Sequence, residues 1–238
     1  MSEVPRASLD LTHVLYDSSS HVSLALALIT LSPILLMASY AALAVQTREL
    51  VIINMWAGQL LCEGFNWFIK RLVKQERPPD SVGNGYGFPS SHSQYMGYFA
   101  SFLICHLFFR HRFATTGYPI LDQVWRLCIY TGLLAWAGIV AYSRFELTYH
   151  SPAQIMWGAG LGVAFGTSFY TLTELIPARF PNSLIGRVRA AFLQHPVTTW
   201  IHIRDGWTIY PDGGHSEEWQ RWRDEWERQS MPTGKRTD

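Results

Sequence analysis

The sequence predicts an all-α fold, an integral membrane bundle of about five transmembrane helices followed by a polar C-terminal tail. Three observations carry that reading. Apolar residues make up 48% of the 238 residues, but they are gathered into long runs rather than spread along the chain. A hydrocarbon layer about 30 Å thick needs roughly 20 apolar residues in a helix, and several runs approach that length. Charged and turn-forming residues fall between the runs, and after Pro177 the composition turns polar.

Met1 to Ser20 is polar and lacks the charged segment, short apolar stretch and cleavage site of a secretory signal. The first run, His21 to Val45, is therefore expected as a permanent helix that also targets the chain to the membrane. Pro33 in its middle is expected to kink it. The second run, Leu50 to Ile69, carries polar residues. Gln59, Glu63, Asn66 and Lys70 fall at i, i+4, i+7 and i+11, which is one helical face. An intramembrane carboxylate needs a partner. Glu63 either steadies Lys70 or another cation, or makes a structural hydrogen bond between helices.

Residues 76 to 87, with Pro78-Pro79-Asp80 and three glycines, read as a loop. Pro89-Ser90 leads into a third run, Ser93 to Phe109, which Arg110, His111 and Arg112 stop. A connection with Gly117, Pro119 and Asp122 leads to Leu127 to Tyr142, and Ser151-Pro152 opens the fifth run, to Ile176. In it Gly158, Gly162 and Gly166 recur every four residues, a spacing that lets another helix approach closely in lipid. Past Pro177, Gly186 to Ile203 mixes arginines with apolar residues, as an interfacial segment does. Trp219, Trp222 and Trp226 fall at i, i+3 and i+7 and suggest a short amphipathic helix, with disorder expected at the C-terminus. The expected organisation is a polar segment over residues 1–20, a membrane domain over 21–177 and a cytosolic tail over 178–238.

The three cysteines, Cys62, Cys105 and Cys128, lie inside apolar runs and read as small core residues. A net charge of +1 gives no general attraction to nucleic acid, and none is expected as a partner. With five spans, the N-terminus shares a face with residues 70–92 and 143–150. Arg48, Arg110, Arg112, Arg126, Arg179, Arg187 and Arg189 lie on the other face, which the positive-inside rule makes cytoplasmic.

Three polar islands break the apolar sequence on the first of those faces. Lys70 is followed after six residues by Arg77-Pro78, then come Pro89-Ser90-Ser91-His92, and last Ser143-Arg144 with His150 after five more residues. One apolar run leaves that face and the next returns to it, so the islands can meet at one water–lipid boundary. Phosphoryl transfer needs cations on the equatorial oxygens, a nucleophile and an acid for the leaving group. Lys70, Arg77 and Arg144 supply cations, and the arginine forks suit phosphate oxygens. The amides of Ser91 and His92 at a helix N-terminus add donors, as can the hydroxyls of Ser90 and Ser143. His92 and His150 supply an acid and a nucleophile or base. Hard-cation ligands are scarce in the islands, so a metal-independent route is expected, with no cofactor. Each piece alone has an ordinary reading as a membrane anchor, a structural histidine or a helix cap. The order and spacing together are what point to chemistry.

At these residues the sequence resembles the type-2 phosphatidate phosphatase superfamily. Within it, Phe88-Pro-Ser-Ser-His-Ser-Gln94 and Tyr149-His-Ser-Pro-Ala-Gln154 are most similar to the dolichyldiphosphatase branch. The resemblance implies that His150 attacks phosphorus to form a phosphohistidine and that His92 protonates the leaving group. It implies that Lys70, Arg77, Ser90, Ser91 and Arg144 hold the phosphate, with Gln154 and Ser143 supporting them. Two positions depart from the superfamily pattern. Ser91 stands where glycine is usual, and Gln154 where an aspartate would orient the nucleophile. The branch resemblance implies that glutamine is normal there; either another carboxylate, Glu63 or Glu146, compensates, or the histidine works with less support. The implied activity removes the terminal phosphate of dolichyl diphosphate, a polyprenyl diphosphate lipid, at the lumenal face of the endoplasmic reticulum membrane, returning the carrier for protein N-glycosylation. The alternatives are another lipid phosphate as substrate (phosphatidate, sphingoid-base phosphate or undecaprenyl diphosphate) or a non-catalytic protein that binds or moves phospholipids.

Overall fold

The computed structural model describes residues 6–9, 14–79, 81 and 83–230. Asp80 of the expected loop, most of the polar residues 1–13 and the C-terminal residues 231–238 expected to be disordered lie outside the described residues. The chain is mostly helical, but it opens with an antiparallel hairpin the sequence reading did not anticipate, β1 (Arg6–Leu9) on β2 (Val14–Asp17). Val14 and Tyr16 then pack against Leu26, Leu147 and Tyr149.

The first apolar run forms two helices, α1 (His21–Ile29) and α2 (Ser32–Thr47), rather than one kinked helix. The break falls at Thr30-Leu31, and Pro33 sits in the first turn of α2. There its missing N–H costs no hydrogen bond, so proline starts a helix here instead of bending one. Next come α3 (Leu50–Val73), α4 (Ser91–Phe109), α5 (Pro119–Glu146) and α6 (Pro152–Tyr170). Helix α5 starts eight residues before the expected run, at Pro119, where Tyr118 is its N-cap. On length and composition, His21–Thr47 and Pro119–Glu146 are each apolar enough to cross a membrane. Much of α5 turns apolar side chains outward, with Ile120, Leu127 and Leu134 all exposed. Such a surface suits lipid rather than water.

Helix α4 is the centre of the bundle, with every residue from Ser93 to Phe102 buried. It is packed by α2, α3, α5 and α6. Its closest neighbour is α6. A Cβ added at Gly158 would stand 2.5 Å from the Ser90 carbonyl oxygen, and one at Gly162 would stand 2.1 Å from that of Gln94. At Gly166 it would meet Ser101 Oγ at 2.2 Å and the Tyr98 carbonyl oxygen at 2.8 Å. Ser90, Gln94 and Tyr98 thus face Gly158, Gly162 and Gly166 at one constant offset, the register of two parallel helices. Helix α3 is stitched to α4 by polar groups, Asn66 Nδ2 donating to Gln94 Oε1 at 2.7 Å and Tyr98 Oη to the Met55 carbonyl at 2.9 Å.

Beyond α6 one wider π turn, Thr171–Leu175, leads into α7 (Ile176–Arg179). Four short elements follow, α8 (Leu184–Gln194), α9 (Pro196–Trp200), α10 (Gly206–Ile209) and α11 (His215–Ser230). The stretch through Gly206 docks on the end of the bundle where α3 begins. Arg189 reaches Glu174 at 3.0 Å and Asp205 at 2.7 Å, and Asp205 also meets Arg110 at 3.3 Å. Glu49, at the start of α3, pairs with Arg204 at 2.6 Å and accepts from the Gly206 amide at 2.9 Å. Helix α11 carries its three tryptophans outward.

The α4–α6 approach has a direct test. Gly162→Ala should lower the melting temperature in detergent, costing about 1–3 kcal/mol, because the colliding atom is backbone and cannot swing aside. Gly160→Ala, whose Cβ meets nothing within 4 Å, should be neutral or stabilising by up to about 1 kcal/mol. Equal melting temperatures for the two variants would refute the close packing.

Candidate active site

The parallel register of α4 and α6 brings their N-termini together. Ser90 caps α4, its Oγ accepting from Ser93 Oγ at 3.1 Å and facing the Ser93 amide at 3.5 Å, while its own amide donates to the Gln154 carbonyl at 3.1 Å. Ser151 caps α6 in a reciprocal box with Gln154, a local signal the sequence carries as serine followed three residues later by glutamine. Both helices thus present free amides and the positive end of their dipoles to one place, which favours an anion.

His150 is set by the turn that ends α5. The amides of Tyr149 and His150 both donate back to the Arg144 carbonyl, at 3.1 and 3.2 Å, with Thr148 in the left-handed region at φ 58°. The Gln154 side chain fixes the imidazole. Its Nε2 donates to the Glu76 carbonyl at 2.9 Å, which turns Oε1 toward the Ser151 amide at 3.3 Å and His150 Nδ1 at 3.2 Å. Nδ1 therefore carries the proton and Nε2 the lone pair. Arg77 Nη1 lies 3.3 Å from that Nε2 and donates to the Tyr149 carbonyl at 2.8 Å. Burial, then the Arg77 and Arg144 guanidiniums, push His150 down to about 3. The ring is neutral at physiological pH.

The other cations close round this point. Arg144 is buried, its guanidinium 3.7 Å over the Tyr149 ring, and its Nε has no hydrogen-bond partner. Lys70, in the last turn of α3, donates to Ser91 Oγ at 3.1 Å. His92, next on α4, lies near enough to Arg144, His150, Lys70 and Arg77 for their charges to act on its ring. The loop between α3 and α4 leaves no room at Gly87, where a Cβ would stand 2.7 Å from Gln154 Nε2. Among the described residues no three His, Cys, Asp or Glu side chains gather as a metal cluster.

Lys70, Arg77, Ser90, Ser91, His92, Arg144, His150 and Gln154 thus share one region. Ser143 does not offer its hydroxyl there, since Oγ is engaged with Thr30 Oγ1 at 2.6 Å and donates to the Val140 carbonyl at 2.7 Å. Neither suggested carboxylate reaches His150. Glu146 accepts from Tyr142 Oη on an exposed face, and Glu63 has a buried Oε1 without a partner and no ion pair to Lys70. Sequence reasoning missed Tyr149, whose ring supports Arg144 and whose carbonyl takes Arg77 and Ser81. Its place directly before His150 was the available signal. Nothing in the sequence marks the Glu76 carbonyl, because backbone acceptors have no residue signature.

This constellation of cations, helix N-termini and one tautomer-fixed neutral imidazole is suited to a tetrahedral phosphate. Comparison with known proteins agrees. The chain is similar to dolichyldiphosphatase 1 of Homo sapiens, 36% identical over 82% of this chain and 80% of that one. It is similar to dolichyldiphosphatase 1 of Mus musculus, 35% identical over 82% of this chain and 80% of that one. It is also similar to the dolichyldiphosphatase of Saccharomyces cerevisiae, 34% identical over 70% of each chain. No solved structure matches it. The family model that describes the PAP2 superfamily matches residues 49–176, which span α3 to the π turn and hold every residue of the site, so the chain belongs to the PAP2 superfamily.

Proposed function

We propose that the chain hydrolyses dolichyl diphosphate to dolichyl phosphate and phosphate, without a metal, through a phosphohistidine. The observation that carries this reading is a set of three cations facing a neutral imidazole, none of them in an ion pair with a carboxylate among the described residues, one of them with a buried, unpartnered Nε. Unmatched buried charge of this kind is costly unless a ligand completes it. A terminal phosphate does so, and cations in place of carboxylates are the donor set for phosphate oxygens rather than for a hard metal ion. The similarity to dolichyldiphosphatases selects the lipid diphosphate.

His150 Nε2 forms a bond to the terminal phosphorus as the bond from that phosphorus to the bridging oxygen breaks. His92 gives its proton to the leaving dolichyl phosphate. In the second step His92 takes a proton from water, whose oxygen attacks phosphorus and releases His150. Lys70, Arg77 and Arg144, with the Ser90, Ser91 and His92 segment, hold the oxygens in both steps. Helices α3, α4 and α6 complete five spans, so that residues 21–177 form the membrane domain and the site faces the lumen of the endoplasmic reticulum. The polyprenyl chain stays in hydrocarbon while its head group enters the site, and dolichyl phosphate returns to N-glycosylation.

Purified protein in EDTA should release phosphate from dolichyl diphosphate faster than from dolichyl phosphate, phosphatidate or a sphingoid-base phosphate at matched detergent. Full dependence on added magnesium would overturn the metal-free route, and a preference for phosphatidate would overturn the substrate. His150→Ala should cut turnover on the order of 10³-fold or more while substrate still binds.

The Gln154 contact predicts a pH effect of known sign. A nucleophile must be deprotonated, and a ring held near 3 contributes no acid limb to kcat/KM between pH 5 and 8. Gln154→Glu places a negative charge beside Nδ1, which favours the imidazolium and raises the histidine. With kcat/KM followed down to about pH 3, activity should then fall with decreasing pH from a point about one unit or more higher than in the parent. Superimposable profiles would show that Gln154 does not govern His150.

A further inference from the structure

We propose that the end of the bundle opposite the phosphatase site binds the phosphate head group of an anionic phospholipid, in a cavity between the C-terminus of α4 and the first turns of α5. The cavity has a volume of about 470 Å³, within the roughly 300–1,000 Å³ of small-molecule sites. Its lining combines Arg110, Arg112 and Arg126 with Phe109, Phe113 and Tyr130, and it includes no acidic side chain.

The ionic partners at this end separate the three arginines. Arg110 is committed to Asp205 and Thr208. Arg112 is exposed, and among the described residues its one hydrogen bond is from its backbone amide to the Pro211 carbonyl at 2.8 Å. Arg126 stands 5.8 Å over the Phe113 ring. Asp122, one turn before Arg126, has its Oδ1 taken by the Thr116 amide at 2.9 Å and hydroxyl at 2.7 Å. Arg112 and Arg126 thus line the cavity without an ion pair among the described residues, the Asp122 charge acting on Arg126 from a distance, and their planar forks suit phosphate oxygens. His111 completes the polar side, its Nδ1 accepting from Trp207 Nε1 at 3.3 Å.

The surroundings assign that phosphate to a lipid. Phe108, Tyr118, Ile120 and Trp125 beside the cavity are 69%, 71%, 79% and 59% exposed. Aromatic and apolar side chains of this kind form a belt at a membrane boundary, and basic pockets between helices at that level take anionic head groups. Acyl chains can lie along the outward face of α5 while the head group enters between the arginines. The inference requires only that α5 sits in a bilayer, and it stands whether or not dolichyl diphosphate is the substrate.

Thermal unfolding of the full chain should be compared in nanodiscs of phosphatidylcholine alone and with one-fifth phosphatidylglycerol. The parent should melt higher, by a few °C, with phosphatidylglycerol. Arg112→Ala/Arg126→Ala should lose most of that shift while keeping parental turnover in phosphatidylcholine, which also reports that it folds. Arg126→Gln alone should lose part of it. Arg144→Ala, in the phosphatase site, should keep it. No shift in the parent, an undiminished shift in the double variant, or a shift abolished by Arg144→Ala would overturn the site. Inorganic phosphate producing the same shift in phosphatidylcholine would overturn its assignment to lipid.

Discussion

The structure depends on one close approach, the parallel contact of α4 and α6 across Gly158, Gly162 and Gly166. Helices in lipid have no hydrophobic effect to hold them together, so backbone proximity and shape must do it. Three glycines at one helical spacing remove the side chains that would separate the pair. The consequence at the site is geometric. Ser90 faces Gly158 at the very start of the contact, so the first turn of α4 cannot sit higher or lower than that of α6. Two helix N-termini are thereby placed side by side, and His92 and His150 belong to those two starts.

The second constraint is electrostatic. Three cations held together with no ion-paired carboxylate among the described residues repel one another, and the fold keeps them there largely through contacts that do not cancel their charge. Arg77 is held by carbonyls of Tyr149 and Asn84, Arg144 by an aromatic face, and Lys70 by a serine hydroxyl. Gln154 follows the same rule. An aspartate would orient His150 equally well but would also bring a negative charge to compete with substrate for the cations. The amide orients by hydrogen bonding alone, spreading its bonds over the Glu76 carbonyl, the Ser151 amide and the imidazole. This glutamine thus fixes the ring without adding a negative charge beside it.

What was legible in the sequence was whatever leaves a periodic or local mark. The glycine stripe, the Ser151-Pro152 helix start, the polar face of α3 and the three islands all have fixed spacings, and each was readable before any coordinates. Pro33 was misjudged because a proline in an apolar run marks a boundary as readily as a kink, and only the packing of Thr30 against Ser143 decides which. Ser143 was misjudged for the same reason. Its neighbour Arg144 turns inward to the site, while one residue earlier on the helix points about 100° away, toward α1. The docking of the C-terminal stretch was invisible, since Glu49, Arg110, Glu174, Arg189 and Asp205 are scattered charges whose pairing follows no interval. The Trp-rich composition suggested an interface, but not that Trp207 would lie against His106 with ring centroids 4.6 Å apart.

Cations paired with carboxylates and cations left without an ion pair do different work in this bundle. Around Asp205 the arginines are answered from within the chain, by Glu174, Glu49 and Asp205 itself. Such buried pairs lose little when they form together, but removing one member strands the other, so they lock the C-terminal stretch to the bundle. Among the described residues no carboxylate forms an ion pair with the cations around His150, the imbalance that a phosphate would relieve under the proposed function. A cation answered by its own chain stabilises a structure, whereas a cluster left unanswered in a buried setting has been kept for something that arrives from outside. The charge that remains unpaired, not the total charge, therefore distinguishes a binding site from a structural contact in a helical membrane protein of near-neutral net charge.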